Sequence, residues 1–288
     1  MPSTFQTTPK PETVAIGGVG GSGTRLIAEL FLRMGCYLGP DRNAADDNLW
    51  FTLLFRHSGV NPFDGSAEEL NLAVELFVAA MANPGAMTRG QLMWLESLGA
   101  RECGGRDPGW IRSRIDRIRS AGDSGPCEVG KWWGWKEPNT HVFIEAFMRR
   151  LPNLQYIHVV RNGCDMAYSA NRNQLARWGG YFLRGPHDLT PRSALRYWCA
   201  VHRRMVCLRD ANPERVLLVN YDELCGAPGE GIRRILERTG TSIGGDGLES
   251  LVESVRPPSS IGRHRKFGWR DLDPDDVNYV GSLGFDVA

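Results

Sequence analysis

No excess of either charge runs through this chain: 34 Lys and Arg stand against 33 Asp and Glu, a formal net charge of +1. That balance excludes a chain-wide cationic surface for nucleic acid or an acidic bilayer, so any anion site must come from a local cluster. No CxxC pair occurs among the seven cysteines, Cys36, Cys103, Cys127, Cys164, Cys199, Cys207 and Cys225. An odd number without paired spacing argues against both a thiolate metal site and a disulfide framework, and it predicts a reducing, cytoplasmic setting. No apolar run is long enough to span a bilayer. Residues 1–12 are polar and Pro-rich, lack the apolar stretch of a signal peptide, and read as a disordered arm. Internal repeats are also missing.

What is present is 288 residues, 42% of them hydrophobic, which suits one sizeable α/β domain or a domain with a large helical insertion. Short apolar runs at Thr13–Gly18, Trp132–Lys136, Leu154–Val160 and Arg215–Asn220 read as strands. Helical periodicity follows each: from Ser22 to a stop at Gly35, over 140–150, from Cys164 to Arg177, and over 228–239 and 246–254. A long helix is predicted over 191–210, residues 178–190 read as a Gly-rich loop, and the tail from Arg256 as irregular. Strands alternating with helices predict a parallel sheet with helices on both faces. Residues 44–120 carry helical patterns near 47–57, 66–82, 88–99 and 108–119 and read as a helical insertion. A Gly/Ser-rich break follows at 121–126. Arg112, Arg114, Arg117 and Arg119 on its last helix read as a solvated face.

The first strand feeds Gly17-Gly18-Val19-Gly20-Gly21-Ser22-Gly23-Thr24-Arg25, and a helix opens directly after it. Glycines there let backbone N–H groups converge, and the helix N-terminus adds positive potential, which together make a phosphate cradle. Ser22 and Thr24 add hydroxyl donors. A nucleoside-triphosphatase loop would end in Gly-Lys-Ser/Thr and be matched by a strand-end carboxylate for Mg²⁺. Here Thr24 and Arg25 follow Gly23, and the most apolar strand ends in Arg161. A cation at that place suits an anion held directly, with no metal between. Strand C-termini are where open α/β sheets bind ligands. Ser169, expected about two turns into the next helix, is aimed back toward Arg161, and the two can grip a phosphate together.

These motifs resemble the sulfotransferases that use 3′-phosphoadenosine 5′-phosphosulfate (PAPS). Gly20-Gly21-Ser22-Gly23-Thr24 is similar to that family's 5′-phosphosulfate loop. His158-Val159-Val160-Arg161-Asn162-Gly163-Cys164-Asp165-Met166-Ala167-Tyr168-Ser169 is similar to its 3′-phosphate motif. Trp135-Lys136-Glu137-Pro138, Val219-Asn220-Tyr221-Asp222-Glu223-Leu224 and Ser260-Ile261-Gly262-Arg263-His264-Arg265 match later family segments, so the resemblance runs from residue 13 to about 267. It implies a P-loop-like three-layer fold in one domain over 13–288, with 44–120 on the acceptor side.

The resemblance also implies sulfuryl transfer from PAPS to a hydroxyl or amine, leaving 3′,5′-ADP, with no metal. The residues it assigns to the nucleotide are Gly20, Gly21, Ser22, Gly23, Thr24, Arg25, Arg161, Ser169, Tyr221, Arg263 and Arg265, and it makes Lys136 catalytic. One position departs from the family: Gly21 stands where a Lys or Arg is usual, and Arg25 or Lys136 must supply that charge. An acceptor hydroxyl also needs a general base. Asp47 and His141 are the leading candidates and Glu137 the third, while an N-cap is the plainer reading of Asp46 and Asp47. Trp50, Trp132, Trp133, Trp135 and Trp178 read mainly as core. The acceptor remains open among small molecules, glycans and peptides. A P-loop kinase-type phosphotransferase and a non-catalytic nucleotide-binding relative are the competing readings.

Overall fold

The computed structural model describes residues 13–100, 107–121, 132–241 and 243–288. The arm over 1–12 and the Gly/Ser-rich break from Gly122 lie outside the described residues. Four strands, β1 (Thr13–Gly18), β2 (Trp133–Lys136), β3 (Leu154–Val160) and β4 (Val216–Asn220), form one parallel sheet in the order β2-β1-β3-β4. Side chains alternate between its faces. Ala15, Trp135, Tyr156 and Val160 join one core, whereas Val14, Ile16, Ile157, Val159 and Val219 join the other.

The helices in chain order are α1 (Thr24–Arg33), α2 (Leu49–Phe51), α3 (Ala67–Ala82), α4 (Arg89–Leu98), α5 (Pro108–Ala121), α6 (Thr140–Arg150), α7 (Gly163–Ala167), α8 (Asn173–Leu183), α9 (Pro191–Ala211), α10 (Tyr221–Gly226), α11 (Pro228–Arg238), α12 (Gly245–Ser254) and α13 (Pro274–Ser282). Helices α1, α11 and α12 cover one sheet face. Helices α3, α6 and α9 cover the other, completing three layers. Among the described residues no helix is long and apolar enough to cross a membrane.

The described part of the predicted insertion is helical as expected, with three differences. Its first helix begins at Leu49 because Asn48, not Asp46 or Asp47, is the cap: Asn48 Oδ1 accepts from the Phe51 amide at 2.9 Å. The helix then widens into a π-helical turn over Thr52–His57. Arg114 and Arg117 are not a merely solvated face, since both reach buried Asp41, at 3.3 and 3.2 Å. The insertion is fastened to the sheet by aromatic packing. Phe147 of α6 lies 4.7 Å from Trp135, 5.2 Å from Phe55 and 5.6 Å from Phe77, centroid to centroid.

The expected helix from Cys164 to Arg177 is broken in two, and Ser169 therefore falls after α7 rather than inside a helix. Arg172 Nη2 donates to the Ala167 carbonyl at 2.5 Å and Nη1 to that of Met166 at 3.3 Å, so a side chain satisfies the end of α7 and the backbone need not continue. The loop expected over 178–190 is half helix. Gly179 and Gly180 lie inside α8, whose buried face carries Gln174, Leu175 and Trp178. Two more helices interrupt regions without a strong apolar period. Helix α10 is capped by Asn220 Oδ1, and α13 by Asp273 with Pro274 in its first turn.

Phe147→Ala should lower the unfolding free energy by about 3–5 kcal/mol, because it opens a cavity among rings already closely packed. Urea titration followed by tryptophan fluorescence measures it, and a loss under about 1 kcal/mol would contradict this account of how the insertion is held.

Candidate active site

The loop between β1 and α1 owes its shape to Gly21 and Gly23, each at φ +98°. An L side chain is strained in that region. Gly23 is also the N-cap of α1 and supplies no side chain to its first-turn amides, which are thereby left for an external acceptor. Ser22 is fully buried and its Oγ has no hydrogen-bond partner. A Cβ on Gly23 would lie 2.2 Å from the Tyr221 ring, so Tyr221 forms the floor of the loop. Arg25 is exposed on the first turn of α1.

Arg161, just past β3, is buried and reaches into this loop. Its Nη1 donates to the Gly21 carbonyl at 3.3 Å and its Nη2 to Ser260 Oγ at 2.8 Å. Its guanidinium lies 5.6 Å from the Tyr221 ring centroid, and its Nε is buried without a partner. Ser169 approaches from the other side, with its Oγ 3.9 Å from where a Gly21 Cβ would stand. Arg161 and Ser169 thus both lie beside the loop at Gly21. Ser22 Oγ and Arg161 Nε are buried donors awaiting an acceptor, and that is what a phosphorylated nucleotide provides.

The tail reaches the same place through Asp165 of α7. Asp165 accepts from the Gly262 amide at 2.7 Å and from the His264 amide at 2.9 Å, and it faces His264 Nδ1 at 2.6 Å. Tyr168 stacks on Phe267 at 4.4 Å. Arg263 Nη1 donates to the Tyr168 carbonyl at 3.4 Å, while Arg265 is paired with Asp286. Asp165, Ser260 and His264 are site components that the sequence motifs contain without revealing their roles.

At the end of β2, Lys136 is buried and its Nζ donates to Asp47 Oδ1 at 2.5 Å and to the Ala45 carbonyl at 2.9 Å. The Asp47 carboxylate is held from its other side by Asn43 Nδ2 at 2.9 Å. Glu137 is also buried. Its oxygens accept from the Asn139 amide and side chain at 2.5 and 3.0 Å and lie 3.6 Å from Arg56 Nη1. Burial outweighs Arg56 and pushes the Glu137 carboxyl up to about 7. His141 is fully buried, with Nε2 3.3 Å from Gln174 Oε1, and Gln174 Nε2 donates to the Gly18 carbonyl at 3.2 Å. Burial and then Arg204 hold the imidazole of His141 down to about 3, so it is neutral. It lies behind the loop.

A sequence profile of the Sulfotransferase family matches residues 41–243. The chain belongs to the sulfotransferase family. No curated protein sequence matches it. Among solved structures, it is similar to the sulfotransferase domain of the Synechococcus PCC 7002 olefin synthase, with 15% identity, 99% of each chain covered and a TM-score of 0.50, which supports the shared fold. Sulfotransferase STF9 from Mycobacterium avium is 15% identical over 98% of this chain and 78% of its own, with a TM-score of 0.46. Retinol dehydratase, solved with androsterone and the inactive cofactor PAP, is 14% identical over 96% of this chain and 72% of its own, with a TM-score of 0.40.

This sulfotransferase carries three buried neutral imidazoles beneath its glycine loop. Burial holds His202 down to about 4. Burial, aided by His202 and His141, holds His158 well below its ordinary value. Each of His141, His158 and His202 is protonated more readily in the unfolded chain, so each removes stability as pH falls below about 6.5. Glu137 acts oppositely, since its raised folded value favours the folded state as pH falls from 7 toward 4.5. His141 and His202 against Glu137 leave a net uptake of about one proton on unfolding near pH 5.5, a slope of roughly 1 kcal/mol per pH unit that His158 steepens. Stability from urea unfolding should therefore be lower at about pH 5 than at about pH 6.5, by roughly 1 kcal/mol or more. Equal stability at the two would show that these imidazoles are not buried neutral.

Proposed function

We propose that this sulfotransferase moves a sulfuryl group from PAPS to a hydroxyl or amine acceptor and releases 3′,5′-ADP. The observation that carries the reading is the 3.3 Å contact between Arg161 Nη1 and the Gly21 carbonyl, which joins a helix-mouth anion cradle to a strand-end guanidinium. Two anion receptors side by side suit a nucleotide phosphorylated at both ends. In this reading the amides of Gly20–Thr24 and Ser22 Oγ hold the 5′ end, with Arg25 beside them. Arg161 and Ser169 hold the 3′-phosphate, Arg263 and Arg265 belong to the tail that closes over it, and Tyr221 supports both Gly23 and Arg161.

PAPS supplies a sulfuryl group activated by a phosphate leaving group. As the acceptor oxygen or nitrogen bonds to sulfur, the bond from sulfur to the phosphate oxygen breaks, and charge grows on that oxygen. Lys136 is the cation assigned to it, with Asp47 fixing the ammonium. The acceptor's proton passes to Glu137, whose raised carboxyl value suits a general base near neutral pH. His141 positions Gln174 against Gly18. The helices from Leu49 to Ala121 border the acceptor.

Arg161→Ala should weaken 3′,5′-ADP binding by about 10–100-fold, the range for losing a charge-assisted phosphate contact, and 5′-AMP binding far less. Calorimetric titration with both nucleotides decides it; equal losses would remove the 3′-phosphate assignment. With Glu137 as base, kcat/KM should rise with pH through about 7 and then level, because the deprotonated carboxylate is the active form. Glu137→Gln should abolish that limb. A variant that keeps both rate and limb would rule Glu137 out.

A further inference from the structure

Helix α8 connects the nucleotide cradle to a second group of charges and rings that the transfer reaction itself leaves unexplained. Asn171, just before it, stands 2.9 Å from where a Gly20 Cβ would lie, and Gln174 is bonded to Gly18. A turn further on, Trp178 Nε1 donates to Asn139 Oδ1 at 2.8 Å, and Asn139 in turn holds Glu137. After one more turn, Tyr181 stacks on Phe63 with centroids 4.9 Å apart and planes 15° apart. Residues at this spacing share one helix face. That face runs from the loop, past Glu137, to an aromatic rim whose two rings, Phe63 and Tyr181, are 42% and 38% exposed. The rim is preorganised, because the Tyr181 hydroxyl accepts from Asn61 Nδ2 at 2.6 Å and donates to Asp64 Oδ2 at 3.0 Å.

Arg177 sits on this face between Glu137 and the rim. Its guanidinium lies 4.9 Å from the Trp178 ring centroid, and its Nε is buried with no hydrogen-bond partner. Among the described residues it forms no ion pair. Arg56, delivered by the π-helical turn, is within electrostatic reach of Arg177, and its own Nε is likewise buried without a partner. Arg56 lies 3.6 Å from the Glu137 carboxyl, and the half-buried guanidinium of Arg177 is within electrostatic reach of both without pairing to it. Like charges brought together out of water are costly unless a further anion balances them. Buried donors without acceptors add to that cost.

We propose that Arg177 and Arg56 form an anion clamp for the acceptor, and that the acceptor class is an alcohol, phenol or amine bearing a carboxylate, its apolar body lying on Phe63 and Tyr181. This deepens the sulfuryl-transfer reading and rests on it. A carboxylate fits the two guanidiniums bidentately. The flat rim adds ring stacking for an aryl body. Such a clamp holds the acceptor by a group other than the one that reacts, leaving its nucleophile beside Glu137.

The test is calorimetric binding to enzyme saturated with 3′,5′-ADP, using hydroxyphenylpropanoate and hydroxybenzoate, each compared with its methyl ester. The carboxylates should bind about tenfold or more tightly than their esters, the scale of one charge-assisted pair, and Arg177→Met should bring that ratio close to one. Affinity of Arg177→Met for 3′,5′-ADP should match the parent, which also certifies that the variant is folded. Arg177→Lys should restore part of the preference. Esters binding as well as carboxylates, neither probe binding at all, or a ratio unchanged in Arg177→Met would each overturn the clamp. Lost 3′,5′-ADP affinity in the variant would assign Arg177 to the nucleotide and overturn it equally. Failure of the underlying nucleotide reading looks different: the parent enzyme would not bind 3′,5′-ADP.

Discussion

The guanidinium of Arg161 is the constraint on which the site depends. It joins three segments that are remote in sequence: the loop at Gly21, the end of β3, and the tail at Ser260. Its backbone is held independently, because Trp198 Nε1 donates to the Arg161 carbonyl at 3.1 Å and the following amide, Asn162 N, donates to Asp222 at 2.9 Å. A buried cation is tolerable only with its donors largely satisfied. Two of the acceptors found here are a loop carbonyl and a tail hydroxyl, so the order of the loop and of the tail are linked through one side chain. The remaining buried donor, Nε, leaves this cation able to take an anion without surrendering those contacts.

The sheet and its flanking helices were legible in the sequence because their signals are local. Leu154–Val160 is a run of apolar residues bounded by turn residues, and α6 carries its period from Thr140 to Arg150 without interruption. The anion loop was legible for the same reason: a strand, a glycine cluster and a helix start are contiguous. What could not be read arises from distant partners. Nothing local to Ala167 announces that Arg172 will satisfy its carbonyl and end α7, and nothing in 178–183 says that a Gly-rich stretch will be helical because Trp178 packs against Phe143. Asp47 is similar. Local preference made it an N-cap, yet Asn48 takes that role and releases Asp47 to Lys136.

The group of charges around Glu137 was harder still to read, since it is assembled across the insertion. Arg56 comes from a π-helical turn, Glu137 from the end of β2 and Arg177 from α8. Their proximity is a product of the aromatic packing between α2, α3 and α6. His141 illustrates the converse. Its closeness in sequence to Lys136 made it a candidate base, but it lies on the inward face of α6, where burial keeps it neutral and its hydrogen bond serves Gln174.

Gly21 is where the family resemblance departs, and its backbone supplies the reason. At φ +98° a Lys or Arg would be strained. Its Cβ would also stand 3.5 Å from Met166 Cε and 3.9 Å from Ser169 Oγ, in the space between the loop and the segment after α7. A cation at this position would have to change the loop. Charge can instead be brought to it from fixed elements: Arg161 meets the Gly21 carbonyl, and Lys136 is held by Asp47 at the neighbouring strand end. Cations anchored on strands lose less entropy on binding than one carried by a loop. The glycine is therefore compatible with a working site whose positive charge has moved from the loop to the sheet.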